Sequence, residues 1–181
     1  MREISAVQRG FEERHGGEPT TTSQLLGLLF AYAKDLSHLT EFGVCNPHTT
    51  YALLLALEEH GGRLVSVDIV NEYPGAIDQV RKDAEAVGIS FEYIVGNVLD
   101  ITIEETDLLF IDDHHCLEHL GNELERHSPQ VRRFIAFHDT ESPCNMLPAV
   151  EGFLAKHSSE WELIRHFRLS HGLTIIRRKR G

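Results

Sequence analysis

Short, almost wholly apolar segments alternate along this chain with longer amphipathic segments, and this alternation restricts its fold more than any other feature. The clearest example is Asp107–Ile111, one acid followed by four apolar residues, with a helical pattern after it over Leu117–His127. Such an apolar run predicts a strand that is covered on both faces. Strands that alternate with helices predict an α/β domain with a mainly parallel sheet between two layers of helices.

The full pattern predicts one helix, then five strand–helix units, then a terminal hairpin. The predicted strands of these units are Leu39–Val44, Arg63–Ile69, Phe91–Val95, Asp107–Ile111 and Phe134–Phe137, and the predicted helices are Thr49–His60, Pro74–Val87, Leu117–His127 and Pro148–His157. The hairpin strands are Trp161–Leu169 and Leu173–Arg178. Their link is too short for a crossover, so this last pair must be antiparallel.

The N-terminal part is predicted to be less regular. Residues 10–20 are polar and contain two adjacent glycines and a proline, which indicates a loop. A helix is expected to begin at Thr21, Thr22 or Ser23 and to end near Ser37. We therefore expect one domain over residues 1–181, with an N-terminal segment over 1–20 and an α/β core over 21–181.

Composition excludes several classes of partner. The 181 residues include 17 Lys or Arg and 28 Asp or Glu, for a formal net charge of −11, whereas a nucleic-acid surface needs a basic face. The basic run Arg177–Arg180 is expected to be a solvated chain end.

No apolar run approaches the roughly 20 residues that span a bilayer. The first ten residues lack the apolar core of a secretory signal. These features predict a cytoplasmic protein with no membrane contact.

The three cysteines, Cys45, Cys116 and Cys144, are odd in number and widely spaced. This pattern predicts reduced thiols rather than a disulfide framework.

Polar side chains follow nearly every predicted strand. In open α/β sheets the ligand lies beyond the carboxyl ends of the strands, near the point where strand order reverses. The polar residues at these ends are Asn46, Asp68, Asn97, Asp112, Asp113, His114, His115, His138 and Asp139. We expect the functional site along this edge of the sheet.

Gly43 and Asp68 follow the first two predicted strands. A glycine there lets a ligand approach the backbone, and an acid after the second strand can accept hydrogen bonds from two ribose hydroxyls. The alternative is that Gly43 only eases packing and that Asp68 caps the segment after it. Because Cys45, Pro47 and Thr49 stand where a pyrophosphate-binding loop has further glycines, the nucleoside is expected to carry no pyrophosphate.

The third predicted strand is followed by Gly96 and Asn97. The amide of Asn97 could hydrogen-bond an adenine edge. Gly-Asn is also a common turn pair, so a plain turn is the alternative.

Acids and imidazoles follow the fourth and fifth predicted strands, which are expected to be neighbours. Asp112 and Asp139 are the best candidate metal ligands, with His138 third. A carboxylate-rich set with open positions suits Mg²⁺ or Mn²⁺ better than a closed zinc site. The alternative is that both acids cap the following helices. His115 and His119 have the spacing of a zinc chelate, but without a partner acid this pair is more typical of a helix surface.

Four segments resemble, in order and spacing, class I S-adenosylmethionine-dependent methyltransferases. They are Glu41–Val44, Leu64–Asp68, Asp107–Asp112 and Phe137–Thr140. They look most like the family-24 type, which is related to macrocin and rhamnosyl O-methyltransferases and to cephalosporin-hydroxylase-like proteins. The resemblance implies a Rossmann-like, doubly wound, seven-stranded sheet, mostly parallel with an antiparallel last strand.

The resemblance also implies S-adenosylmethionine as cofactor. It implies that Glu41 and Gly43 lie near the methionine moiety, and that Asp68 holds the ribose. Asn46 and Asn97 would complete the cofactor side, with Asn97 near the adenine.

On the acceptor side, the resemblance implies that Asp112 lies between cofactor and acceptor. In metal-dependent relatives such as catechol O-methyltransferase, the ligands come from the positions that match Asp112, His138 and Asp139. The sequence departs from the family pattern at two places. Cys45–His48 replaces a glycine-rich motif, and Asp113 replaces a common glycine.

These features predict O-methylation of a small hydroxylated acceptor, such as a sugar or a natural product. Asp112, His114 and His115 are the candidate catalytic residues, because an imidazole that titrates near neutral pH can take the hydroxyl proton. The alternatives are a metal-dependent hydrolase on the same scaffold and a non-catalytic nucleoside-binding protein. The chain has little material for a lid, so a second subunit in a homo-oligomer could complete the acceptor pocket.

Overall fold

The computed structural model describes residues 4–15, 21–142, 145–168 and 171–180. The helices are α1 (Ala6–His15), α2 (Thr21–Ala33), α3 (His48–Leu57), α4 (Pro74–Ala86), α5 (Leu117–His127) and α6 (Leu147–Lys156). The strands are β1 (His38–Phe42), β2 (Arg63–Asp68), β3 (Ser90–Val95), β4 (Thr106–Ile111), β5 (Val131–His138), β6 (Trp161–Phe167) and β7 (Leu173–Arg178). Within these ranges, every helix is too short or too polar to cross a membrane.

The seven strands form one sheet in the order β3-β2-β1-β4-β5-β7-β6. Strand β7 is antiparallel to both of its neighbours, and all other neighbouring pairs are parallel. This arrangement confirms the predicted α/β fold class, including the antiparallel last strand. Strand order reverses between β1 and β4, which lie side by side in the centre of the sheet.

Helices cover both faces of the sheet because successive residues of each strand point to opposite sides. On β4, Leu108 and Phe110 pack with α1 to α4, whereas Leu109 and Ile111 pack with α5 and α6. All four side chains are buried. The near-continuous apolar sequence of β4 follows from this burial on both faces.

The prediction of a loop over residues 10–20 is wrong for residues 10–15, which belong to α1. This helix packs on α3, with Val7 fully buried and Gly10 directly over the ring of Tyr51. A Cβ at Gly10 would lie 2.1 Å from the nearest ring carbon, so the close approach requires a glycine. The helix is mostly polar and contains this glycine, so its sequence lacks the apolar pattern by which a helix is predicted. Residues 16–20 lie outside the described residues.

The prediction of five strand–helix units is wrong by one unit. Residues 96–105, all of them described, connect β3 to β4 without a helix. Val98 and Ile103 of this connection are buried against the face covered by α5 and α6. The predicted thiols Cys45 and Cys116 are free and exposed, while Cys144 lies outside the described residues.

Candidate active site

A cleft of about 560 Å³ opens at the carboxyl ends of β1, β2, β3 and β4, where strand order reverses. Its wall includes Gly43, Asp68, Asn97, Asp112 and His114, each at the end of a strand or in the turn that follows it. This volume lies in the range of small-molecule sites, and the position is the one where open α/β sheets bind ligands. The structure thus brings five of the ten predicted site residues to one cavity.

The turn after β1 is held tightly against the end of β4. The N–H of Asp112 donates to the carbonyl of Phe42 over 2.9 Å, and Gly43 has a φ of 79°. A Cβ on Gly43 would lie 2.2 Å from the carbonyl oxygen of Asp112. Gly43 therefore allows the close packing of the two backbone segments, which was one of the two alternatives for this residue. It also forms part of the cleft wall.

Asp68 binds the same turn from the other side. Its Oδ2 accepts hydrogen bonds from the N–H groups of Val44, over 2.8 Å, and Cys45, over 2.9 Å. Its Oδ1 lies 3.3 Å from the N–H of Val70, which donates to it. The carboxylate therefore caps the turn, and it also lines the cleft. A role in binding ribose stays a prediction.

Apolar side chains flank Asp68 in the cleft. Ile69 is 66% exposed and Val70 is 48% exposed, although both are large and hydrophobic. Opposite them, Oδ1 of Asn97 accepts a hydrogen bond from the N–H of Leu99, so its amide group belongs to a turn. The NH₂ of Asn97 is the part of this side chain that could donate to a ligand.

Glu41 lies beneath the cleft rather than in its lining. It is fully buried, and its carboxylate accepts hydrogen bonds from the hydroxyls of Thr49, Thr50 and Ser66. Burial raises the pKa of Glu41 to about 7, although the three hydroxyls oppose this shift. Asn46 is exposed and is likewise not part of the cleft lining. The predicted cofactor roles of both residues stay predictions.

Two acids and two imidazoles lie together at the edge of the cleft. They come from the end of β5 and from the turns that follow β4 and β5. We call these residues, Asp112, His115, His138 and Asp139, the Asp112 cluster. Nδ1 of His138 lies 3.0 Å from Oδ1 of Asp112. Nε2 of His115 lies 2.8 Å from Oδ2 of Asp139 and 3.5 Å from Oδ1 of Asp112. Ligand atoms of Asp112, His138 and Asp139 all lie within 4.8 Å of one another. The predicted metal triad is therefore a spatial group.

The imidazoles of this cluster stabilise the ionised form of Asp112, and its acids stabilise the protonated form of His115. Burial alone would raise the pKa of Asp112, but hydrogen bonds from His115 and His138 outweigh it and lower the pKa. The hydrogen bond to Asp112 raises the pKa of His115 against the effect of burial, and the charge of Asp139 adds to this rise. The imidazole of His115 thus holds a proton more firmly than a free histidine does.

Asp139 has a φ of 56°, in the left-handed region. Aspartate and asparagine enter this region more readily than most residues, and such backbone conformations concentrate at functional sites. The side chain is almost fully buried, and its Oδ1 also lies 3.6 Å from Nδ1 of His171. His171 is a neighbour of the site that the sequence analysis did not identify.

A second group, which we call the Glu123 cluster, consists of Asp113, His119 and Glu123. Nε2 of His119 lies 3.6 Å from Oδ2 of Asp113 and 3.6 Å from Oε1 of Glu123. Burial raises the pKa of the Glu123 carboxyl to about 10, and the negative charge of Asp113 shifts it in the same direction. The sequence analysis missed this cluster, although Glu123 follows His119 by one helical turn.

The structure does not bring His115 and His119 together as a chelating pair. His115 contacts the acids of the Asp112 cluster, whereas His119 contacts Asp113 and Glu123. His114 lies between the two groups in the cleft wall, and its ring centroid is 4.9 Å from that of His119.

No protein-family model matches the chain, and no curated protein matches its sequence. Solved structures, however, share its fold. A methyltransferase from Geobacter sulfurreducens superposes with a TM-score of 0.65 and 16% identity, over 99% of this chain and 93% of that one. The O-methyltransferase TomG from Streptomyces achromogenes, solved with S-adenosylmethionine, gives 0.64 and 15% identity, over 98% and 91% of the two chains.

The methyltransferase PaMTH1 from Podospora anserina, solved with S-adenosylhomocysteine, gives a TM-score of 0.63 and 16% identity, over 97% of this chain and 88% of that one. At such identities the likeness establishes the fold alone. The chain therefore has the Rossmann-like methyltransferase fold, complete in its seven strands.

We predict that Glu41→Gln makes stability less dependent on pH between about pH 4.5 and 7. The folded state holds a proton on Glu41 up to about pH 7, whereas the pKa of a free glutamate carboxyl is 4.5. The native protein therefore loses stability as the pH rises through this interval, by about 3 kcal/mol in total. Glutamine has no proton to lose and can still bond the three hydroxyls.

Urea unfolding of both proteins at several pH values measures this difference. The stability of Glu41→Gln relative to wild type should rise with pH, while the exposed control Glu151→Gln should follow wild type. Parallel curves for wild type and Glu41→Gln would contradict an elevated pKa at Glu41.

Proposed function

We propose that this protein transfers a methyl group from S-adenosylmethionine to a hydroxyl of a small acceptor, such as a sugar or a natural product. The observation that supports it most is the cleft at the reversal of strand order, with Asp68 on one side and the Asp112 cluster on the other. The resemblance to family-24 O-methyltransferases stays a prediction, and it supports the same activity.

The cofactor side of the cleft suits a nucleoside. Ile69 and Val70 offer an exposed apolar surface on which a base can stack, and Asn97 lies across the cleft from them with an NH₂ that can donate. Asp68 is held rigidly by the turn after β1, and a carboxylate oxygen has more than one lone pair with which to accept a ribose hydroxyl. This set has no cluster of glycines for a pyrophosphate.

The charge of the cleft suits a cationic ligand. Asp68, Asp112 and Asp113 all line it, and Glu72 lies in the same wall. S-adenosylmethionine, when bound, supplies an activated methyl group on a positively charged sulfur. A cleft that is lined by negative charges and has a low dielectric constant attracts such a group and repels anionic competitors.

The Asp112 cluster suits deprotonation of the acceptor. His115 is the best candidate base, because Asp112 and Asp139 orient its ring and stabilise the charge it acquires with the proton. His114 is exposed in the cleft wall and is the second candidate. Because the methyl group of S-adenosylmethionine is already activated, the protein has only to position the acceptor hydroxyl against this methyl group and to remove the hydroxyl proton.

The same cluster fits a divalent cation. Two carboxylates and one imidazole, on Asp112, His138 and Asp139, are suitable donors for Mg²⁺ or Mn²⁺, with positions left for water and acceptor. A cation held there would lower the pKa of an acceptor hydroxyl. His115 would stay beside the cation, since its Nε2 lies 2.8 Å from Oδ2 of Asp139, and its Nδ1 would be the nitrogen left to accept the proton.

Calorimetric titration with S-adenosylmethionine and S-adenosylhomocysteine, with and without Mg²⁺, tests the cofactor side. We expect binding by wild type, and an affinity about ten to a hundred times lower for Asp68→Asn, which keeps one oxygen for the N–H groups of Val44 and Cys45 but loses the charge. Asp78→Asn, an exposed acid on α4, is the control and should bind like wild type. Absence of binding under every condition would remove the methyltransferase proposal.

Labelled methyl transfer to a panel of sugars and phenols tests the acceptor side. Asp139→Asn keeps a residue that tolerates the left-handed backbone, and we expect it to lower turnover at least about a hundredfold. Its affinity for S-adenosylhomocysteine should stay within about threefold of wild type, because Asp139 does not line the cleft.

Equal losses of turnover and cofactor affinity in Asp139→Asn would contradict an acceptor-side role. Binding without transfer to any acceptor would favour a non-catalytic nucleoside-binding protein. Hydrolytic activity that needs no S-adenosylmethionine would favour a metal-dependent hydrolase.

A further inference from the structure

Glu123 is a carboxylate in the interior that lacks the contacts such a group needs. It lies on the inner face of α5, its exposed fraction is 0%, and neither carboxylate oxygen has a hydrogen-bond partner within the described part of the chain. Glu41, the other fully buried glutamate, accepts three hydroxyl hydrogen bonds. A buried carboxyl without donors is costly unless a proton or a cation neutralises it.

The atoms nearest to Glu123 share this deficiency. Nε2 of His119 and Oδ1 of Asp113 are also buried without a hydrogen-bond partner among the described residues. Nε2 of His119 lies 3.6 Å from an oxygen of each acid, which is too long for a hydrogen bond. Four buried polar atoms thus surround one small space, in which the carboxyls of Asp113 and Glu123 interact with each other.

We propose that Asp113, His119 and Glu123 form a binding site for a divalent cation, with zinc as the best fit. One ligand atom from each residue lies within 4.8 Å of the others. Ligands about 2.1 Å from a tetrahedral zinc lie roughly 3.4 Å from each other, close to the spacings around Nε2 of His119. A cation at the centre would neutralise both acids and satisfy the unpartnered atoms.

The chain prepares this set of ligands in two ways. His119 and Glu123 are four residues apart on α5, so they lie on one face of the helix. Asp113 comes from the turn after β4 and faces the same helix. The buried position of Glu123 leaves little room for the several waters that Mg²⁺ keeps, whereas a tetrahedral zinc needs only one ligand beyond these three.

The site has an entry path and an open position. Asp113 and His119 line the cleft, whereas Glu123 lies behind them. A cation can therefore enter from the cleft, and a water or His114 can supply a fourth ligand. Bound there, the cation would tie the turn after β4 to α5 and fix one wall of the cleft.

This site is distinct from the Asp112 cluster. The two groups share no residue, and the side chains of Asp112 and Asp113 turn to different partners. The inference does not depend on the proposed methyl transfer, since it concerns ligand atoms and burial alone. It can be correct even if the protein transfers no methyl group.

Zinc titration of the full-length, chelator-treated protein against a chromogenic competitor tests the proposal. We expect the binding of one zinc equivalent to weaken more than about a hundredfold in Glu123→Gln and in His119→Gln, since changing a residue that only hydrogen-bonds a metal ligand already costs about ten- to a hundredfold. Glutamine at position 123 reproduces the neutral carboxyl in shape, so this variant should fold, which circular dichroism checks.

Two controls separate this site from others. Glu125→Gln alters an acid two residues further along α5 that is exposed and contacts His157 over 3.1 Å, so the zinc equivalent should persist. Asp139→Asn should also retain it, because Asp139 belongs to the other cluster. With Co²⁺ in place of zinc, wild type and both controls should show visible absorption bands of a tetrahedral site that Glu123→Gln lacks.

Three results would overturn the proposal. Wild type could fail to bind zinc more tightly than the competitor does. Glu123→Gln could bind zinc as wild type does. Glu123→Gln could also stabilise the protein while zinc has no effect on wild type, which would identify Asp113 and Glu123 as a carboxyl pair that shares a proton.

Discussion

The contact between the turn after β1 and the end of β4 is the constraint on which the site depends. Gly43 lies so close to the backbone of Asp112 that only a glycine fits, and the N–H of Asp112 bonds the carbonyl of Phe42. Because β1 and β4 are neighbours at the reversal of strand order, the following helices leave toward opposite faces of the sheet. The cleft is the space that they leave open.

Around this contact the chain places several acids and stabilises each by different means. Backbone N–H groups bind Asp68, hydroxyls bind Glu41, and imidazoles bind Asp112 and Asp139. These are three ways to stabilise a carboxylate away from bulk water. Glu123 accepts no hydrogen bond of these three kinds in the described part of the chain, and the imidazole of His119 lies 3.6 Å from it. The proposed cationic cofactor, acceptor proton and metal would therefore each meet acids that are stabilised differently and lie at separate positions.

Much of the fold could be predicted because each of its elements leaves a local pattern. Three features were sufficient to predict the parallel strands and the antiparallel last strand. They are the near-continuous apolar strands, the glycines after helices and the short link before Leu173. Helix α1 could not be predicted, since its few apolar residues are recognisable only against Tyr51 of α3. The connection over residues 96–105 is shorter than the helix-containing connections between the other parallel strands, and its buried Val98 and Ile103 pack on the sheet in place of a helix.

The site was predicted where it depends on strand ends and missed where it depends on side-chain direction. Topology alone makes Asp112, His138 and Asp139 neighbours. It does not reveal that Asp113 turns away from Asp112, or that His119 pairs with Glu123 rather than with His115. Burial of an acid on the inner face of α5 depends on the packing of the whole domain.

The central claim is that the cleft at the ends of β1 to β4 binds the nucleoside of S-adenosylmethionine. Amide chemical shifts recorded during titration with S-adenosylhomocysteine test it most directly. We predict shifts at Gly43, at Asp68 to Val70 and at Asn97, with none in the basic groove formed by Arg132, Arg133 and residues 177–180 at the opposite edge of the sheet. No shifts at saturating ligand, or shifts centred on that groove, would contradict the claim.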